Sequence, residues 1–255
     1  MTFRQRLSGA LLIVPVLVAG CSAGHGTTPA QPPKPISIFI APDLSGSAFA
    51  MSKTRGEQVV QKAFEKAAET KGRVTVVALT GDTAGQTNIG MEADFAHPPA
   101  WVEPTNDQSV SIWINNLLDS YRKWRAKQPV ARASDYLGML LVTGRLLAST
   151  AAAQQQLWIV GDGLQATSQW SMYRHHPSAS VCKTKASAMK RAGTLGQLRG
   201  AAVYFIGGGL NTRSVLTPAE QAQLTACWAQ IIHIAGGQTL TEWWNPADLM
   251  APETP

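Results

Sequence analysis

The stretch that decides the fold is Ile36-Ser-Ile-Phe-Ile-Ala-Pro-Asp-Leu-Ser-Gly-Ser47. Its first part, Ile36 to Ala41, is an apolar, β-branched run, the pattern of a strand buried on both faces of a parallel sheet. Pro42 follows, and then one carboxylate and two hydroxyls stand at alternating positions: Asp43, Ser45 and Ser47. A short turn can aim these three groups at one point. Hard oxygen donors of this kind suit a hard divalent cation, which takes one or two carboxylates and fills its remaining positions with water or a partner's oxygen.

Three more runs read as buried strands: Arg73 to Leu79 (RVTVVAL), Leu157 to Val160 (LWIV) and Ala201 to Ile206 (AAVYFI). Between them lie apolar stripes at helical spacing, one through Val110, Ile114, Leu117, Leu118, Tyr121 and Trp124, another through Tyr136, Leu137, Leu140, Leu141 and Leu147. Thr217-Pro218-Ala219-Glu220 supplies a capping hydroxyl, a first-turn proline and a glutamate at the third helical position, so a helix starts there. Its core face is Leu224, Cys227, Ile231 and Ala235, and Gly236-Gly237 ends it. Strands alternating with helices predict an α/β domain, a doubly wound and mainly parallel sheet flanked by helices.

Ligands of such sheets sit beyond the carboxyl ends of the strands. That gives weight to a second carboxylate, Asp162, which directly follows the Leu157 run in Val160-Gly161-Asp162-Gly163. If the two strands are neighbours, Asp43 and Asp162 converge. Ser134, in Ala133-Ser134-Asp135-Tyr136 at a helix start, offers either a third hydroxyl for that point or the cap of the helix.

An apolar strand ending in Asp-x-Ser-x-Ser, a later hydroxyl-Asp pair opening a helix, and a further strand ending in an Asp-Gly resemble the von Willebrand factor type A (vWA) domain. The run AVYFIGGG, a helix and then IAGG are similar to that family's last strand, last helix and Gly-Gly ending. The resemblance covers Ile36 to about Leu240. It implies a Rossmann-like fold and a metal-ion-dependent adhesion site built from Asp43, Ser45, Ser47, Ser134 in the threonine place, and Asp162. The implied cofactor is Mg²⁺ or Mn²⁺, and the implied partner is a protein or other macromolecule whose acidic group completes the coordination. The sequence departs from the family pattern twice. Ser134 lacks the methyl that restricts a threonine rotamer, and Gly161 stands where threonine or serine is common.

Two other readings stay open. One is a metal-dependent hydrolase of the phosphoester type using the same loops, although no nucleophile elbow, phosphate loop or zinc-protease motif is present. The other is a metal-free scaffold that acts through a basic insert between the fourth and fifth strands, residues 163–199. From Gly163 to Ala219 the chain has no Asp or Glu, while Arg174, Lys183, Lys185, Lys190 and Arg191 are all present, a candidate surface for an anionic partner. Arg174-His175-His176 reads as a polar loop rather than a zinc site. Trp243-Trp244 reads as terminal packing or a partner patch.

Length and composition agree with one folded domain. The chain has 255 residues, 45% of them hydrophobic and 15% charged, which excludes disorder of the whole. A net charge of +6 on this length does not identify a nucleic-acid binder. Residues 1–20, with Arg4 and Arg6 before an apolar run, read as an export signal. Val18-Ala19-Gly20-Cys21 resembles a bacterial lipobox, which implies acylation of Cys21 and a membrane anchor facing the extracytoplasmic side. Residues 22–35 read as a flexible tether, 36–242 as the domain, and 243–255 as a tail. Three cysteines are too few for a disulfide scaffold. Cys182 and Cys227 form either a single bridge, as export permits, or a buried thiol pair.

Overall fold

The computed structural model describes residues 34–46, 48–85, 88–150, 152, 154–173, 177–207 and 216–239. Cys21, Ser47, Arg174, the His175-His176 pair and Trp243-Trp244 lie outside the described residues. A six-stranded sheet runs in the order β3-β2-β1-β4-β5-β6. Its strands are β1 (Ile36–Pro42), β2 (Arg73–Val77), β3 (Ile89–Asp94), β4 (Gln154–Val160), β5 (Ala202–Ile206) and β6 (Gln238–Thr239). All neighbouring pairs are parallel except β2 with β3, which is antiparallel. The first strand lies at the centre, and its buried pattern is unbroken from Ile36 to Pro42.

Five helices are described: α1 (Phe49–Thr70), α2 (Asp107–Ala126), α3 (Tyr136–Ala148), α4 (Ala179–Arg191) and α5 (Pro218–Ile234). Because side chains alternate across a strand, β1 feeds two cores. Ile36, Ile38 and Ile40 pack with Val60, Phe64, Trp113, Leu118 and Tyr121 of α1 and α2. Phe39 and Ala41 pack on the other face with Leu140, Leu147, Cys182, Leu224 and Ile231 of α3, α4 and α5. Two helix layers on one mainly parallel sheet are the doubly wound arrangement that alternating strands and helices predict.

The last helix begins as its sequence predicts. Thr217 accepts from the Glu220 N–H, and Glu220 reaches back to the Thr217 N–H at 2.8 Å, a full capping box. Leu224, Cys227, Ile231 and Ala235 are buried, and Gly236 takes a φ of 78° just past the helix end. The basic stretch 163–199 is the crossover from β4 to β5, and α4 is its helix. Cys182 and Cys227 are bonded, tying α4 to α5. No described helix is long and apolar enough to cross a membrane.

Candidate metal centre

Strands β1 and β4 are direct neighbours, in register from Ile36 opposite Gln154 to Pro42 opposite Val160. The chain leaves both at the same end of the sheet, and the Asp43 N–H bonds the Val160 carbonyl at 2.8 Å. Asp43 and Asp162 are both fully buried. The Ser45 N–H donates to Asp43 Oδ1 at 2.8 Å, which curls the loop after β1 into a turn closed by the first carboxylate.

Ser134 comes from the loop between α2 and α3, and two ties bring it in. Ser45 bridges Ala131, with the Gly46 N–H on the Ala131 carbonyl at 3.1 Å, and the Asp135 N–H bonds the Thr80 carbonyl at 2.7 Å. The cap of α3 is Asp135, whose carboxylate accepts from the Gly138 N–H. Ser134 is thereby released from capping, and its hydroxyl donates to Asp43 at 3.0 Å from Oδ2. Of the five residues that the vWA resemblance implies, Asp43, Ser45, Ser134 and Asp162 come together in one buried cluster.

Two tyrosines join that cluster, and the sequence reading placed neither there. The Tyr136 hydroxyl donates to Asp43 Oδ2 at 2.6 Å, lies 3.3 Å from Asp162 Oδ1, and accepts the Gly163 N–H at 3.0 Å. Its ring is held among Phe205 and Trp228, and the Trp228 indole N–H donates to the Gly163 carbonyl at 2.8 Å. Tyr136 does lie on the apolar face of α3, as the stripe predicts, but its polar tip ends between two acids. The only advance signal was its position, two residues after Ser134 at the helix start. The second is Tyr173, whose hydroxyl donates to Asp162 Oδ2 at 3.2 Å.

Tyr136 also accounts for Gly161. A Cβ at position 161 would collide with the Tyr136 hydroxyl and lie 2.8 Å from Asp43 Cβ. Real Cβ atoms do not come that close to other atoms, so the family's threonine has no room while the phenol is there.

The electrostatics follow from burial. Loss of water, and then the charge of Asp162, push the Asp43 carboxyl up to about 6, against the hydrogen bonds from Tyr136 and Ser45. Burial, the two carboxylates and the hydrogen bond to Asp43 hold Tyr136 well above the usual phenol range, so it stays protonated and donates. Among the described residues the buried cation is Arg125 at the end of α2, close enough to sense the charge of Asp43. The donor set is thus two carboxylates and hydroxyl oxygens. Among the described residues there is no group of three or more His, Cys, Asp or Glu side chains placed to hold a metal ion. A pair of buried carboxylates with one strained toward protonation, and hydroxyls beside them, fits a hard divalent cation that takes two acids and neutral oxygens.

The basic crossover is less uniform than its composition. Lys190 Nζ donates to the Ile234 carbonyl at 2.8 Å, capping the end of α5, and Lys185 lies 5.6 Å from the Trp170 ring centroid. Lys183 and Arg191 are exposed on α4. Far from the acid cluster, a cleft of about 480 Å³ opens at the amino ends of β4, β5 and β6. Two glutamines that line it are occupied structurally: Gln155 donates to the Leu147 and Thr150 carbonyls, and Gln156 accepts the Trp158 indole N–H.

No family model matches the sequence, and no curated protein matches it. Among solved structures, the chain is similar to the PilB minor pilin of Streptococcus sanguinis, in its D319A mutant, with a TM-score of 0.51 and 13% identity over 88% of this chain and 60% of that one. Weaker likenesses include the vWF domain of the type V pili tip protein Mfa5 from Porphyromonas gingivalis, at TM-score 0.38 and 13% identity over 73% and 56% of the two chains. The SpRpn10 VWA domain follows at TM-score 0.41 and 8% identity, over 85% and 94%. The chain spans less than two thirds of the length of the pilus proteins it matches. With the strand order, the two helix layers and the strand-end loops in place, the fold is a doubly wound, mainly parallel α/β domain, and von Willebrand factor type A domains are among the solved structures similar to it.

Proposed function

We propose that this chain is a membrane-anchored, extracytoplasmic interaction domain that binds a protein or other macromolecule through Mg²⁺ or Mn²⁺. Asp43, Ser45, Ser134 and Asp162, with Ser47 from the same Asp-x-Ser-x-Ser motif in the sequence, would hold the cation. The bound cation would supply a positive centre for an acidic group of the partner. The observation that carries this reading is the pairing of two fully buried carboxylates, with Asp43 pushed up to about 6 by burial and by Asp162. A cation held by these residues would relieve both costs at once, the lost hydration and the like-charge repulsion.

Other observations support the setting. A disulfide between Cys182 and Cys227 suits an oxidising compartment, as does the export signal with its lipobox-like Cys21. The similar fold with a TM-score of 0.51 is by its name a minor pilin, which fits an adhesive use of the fold. The test is calorimetric titration of Mg²⁺ and Mn²⁺ into the detergent-solubilised full chain, with Asp43→Ala beside it. Saturable binding that Asp43→Ala removes is the expected result. Binding that persists unchanged in Asp43→Ala, or no binding to either protein, sinks the metal reading.

A further inference from the structure

Between β4 and α4 the chain folds into a small strap that ends on the acid pair. Gln165 is its root. The Gln165 side chain is buried, its Oε1 accepts the Leu137 N–H at 3.1 Å, and its Nε2 lies 3.3 Å from Asp135 Oδ1. From there the backbone turns back on itself. Thr167 N–H bonds the Trp170 carbonyl at 2.9 Å, Ala166 bridges Ser171 antiparallel, and Met172 N–H bonds the Gln165 carbonyl at 2.8 Å. The next residue is Tyr173, which reaches Asp162 Oδ2.

The two phenols on the acid pair differ in burial. Tyr136 is fully buried, packed between aromatic rings, and fixed at its hydroxyl by the Gly163 N–H. Tyr173 is 36% exposed and stands at the end of a surface strap. Asp162 Oδ1 is already taken by the Leu164 N–H at 2.9 Å, so Tyr173 sits on the other oxygen of that carboxylate. We propose that Tyr173 is a displaceable cover of the acid pair, and that a divalent cation at Asp43 and Asp162 exchanges the Tyr173 hydroxyl off Asp162 and frees the strap. This rests on the cation reading above. It assigns residues 165–173 a role in deciding what enters the site, while Tyr136 stays in place.

A cover that must leave competes with the ligand, so removing its hydroxyl strengthens binding. In the detergent-solubilised full chain, Tyr173→Phe is expected to bind Mn²⁺ about fivefold more tightly than the native protein, which corresponds to about 1 kcal/mol, the scale of one hydrogen bond. Hydrogen exchange supplies the second readout. Mn²⁺ is expected to speed exchange of the Thr167 and Met172 amides in the native protein, and Tyr173→Phe is expected to show that fast exchange before any metal is added. If Tyr173 only braces the fold, Tyr173→Phe lowers the melting temperature and weakens or leaves unchanged the Mn²⁺ affinity, and that result overturns the cover while leaving the cation site standing. Absence of Mn²⁺ and Mg²⁺ binding to both proteins overturns the cation site and the cover together.

Discussion

The Tyr136 hydroxyl lies 2.6 Å from Asp43 Oδ2 and 3.3 Å from Asp162 Oδ1, so one phenol from the start of α3 spans the two acids that β1 and β4 deliver. The phenol has one proton to give and takes the Gly163 N–H in return. Removing it takes one of the two hydroxyl donors from Asp43 Oδ2, where Ser134 remains, and strands the buried Gly163 N–H, which costs the desolvation of an unsatisfied group. Tyr136→Phe is therefore expected to lower the unfolding free energy by about 2 to 4 kcal/mol in chelator-treated protein. Urea unfolding followed by tryptophan fluorescence measures it, and a loss under 0.5 kcal/mol would mean that the phenol is not the link between the acids.

Gly161 and Tyr136 form a matched pair, because the space a side chain at 161 would need is taken by the phenol oxygen. Gly161→Ser is expected to destabilise by about 2 kcal/mol or more through overpacking. In the Tyr136→Phe background the same substitution has lost its main obstacle, although Asp43 Cβ remains 2.8 Å away. The two changes are then expected to be non-additive by at least about 1 kcal/mol in a double-mutant cycle, in the compensating direction. Strict additivity would place the collision elsewhere.

Much of the fold was legible because β1, β2, β4 and β5 are apolar runs whose burial leaves no ambiguity about sheet type. Strand β3 was not, since Ile89–Asp94 is an edge strand with exposed and half-buried positions and no apolar run. Helix α1 was also not read, although Val59, Val60, Ala63, Phe64 and Ala67 bury one face at helical spacing. A capping hydroxyl was lacking there, for its cap position is Ala48 with no side-chain bond. At the site, the carboxylates were legible because each directly follows a buried strand. The tyrosines were not, because nothing local tells a core aromatic from one whose hydroxyl ends on a distant acid. Gly161 carried the hint, but it read as a lost hydroxyl rather than as space made for another.

The bridge between Cys182 and Cys227 joins two helices that share a core, and both sulfurs are fully buried. A closed loop of about 46 residues contributes roughly 4 kcal/mol in the chain-entropy model. The double variant Cys182→Ala with Cys227→Ala is expected to lose about 2 to 4 kcal/mol and still fold. Mass spectrometry of peptides from unreduced protein checks the pairing itself. Both cysteines recovered as alkylated thiols without reduction would refute it.

The strained state of Asp43 also sets a pH dependence whose sign is fixed by its direction. Its folded carboxyl titrates at about 6, above the ordinary 3.8. Between those values the folded protein therefore holds a proton that the unfolded chain has released. Stability from this group falls as pH rises through that window, and the loss is complete above about pH 6. A shift of this size corresponds to roughly 3 kcal/mol as an upper bound. Chelator-treated protein is thus expected to be more stable at pH 5 than at pH 7.5, and Asp43→Asn is expected to flatten the difference. Under the proposed cation site, saturating Mg²⁺ or Mn²⁺ is expected to reverse it, because a cation held by the ionised pair would stabilise the fold most at the higher pH. Denaturant midpoints at both pH values, with and without metal, test the electrostatic account and the cation site separately. A chelated protein whose stability does not fall from pH 5 to pH 7.5 contradicts the first, and midpoints insensitive to metal contradict the second.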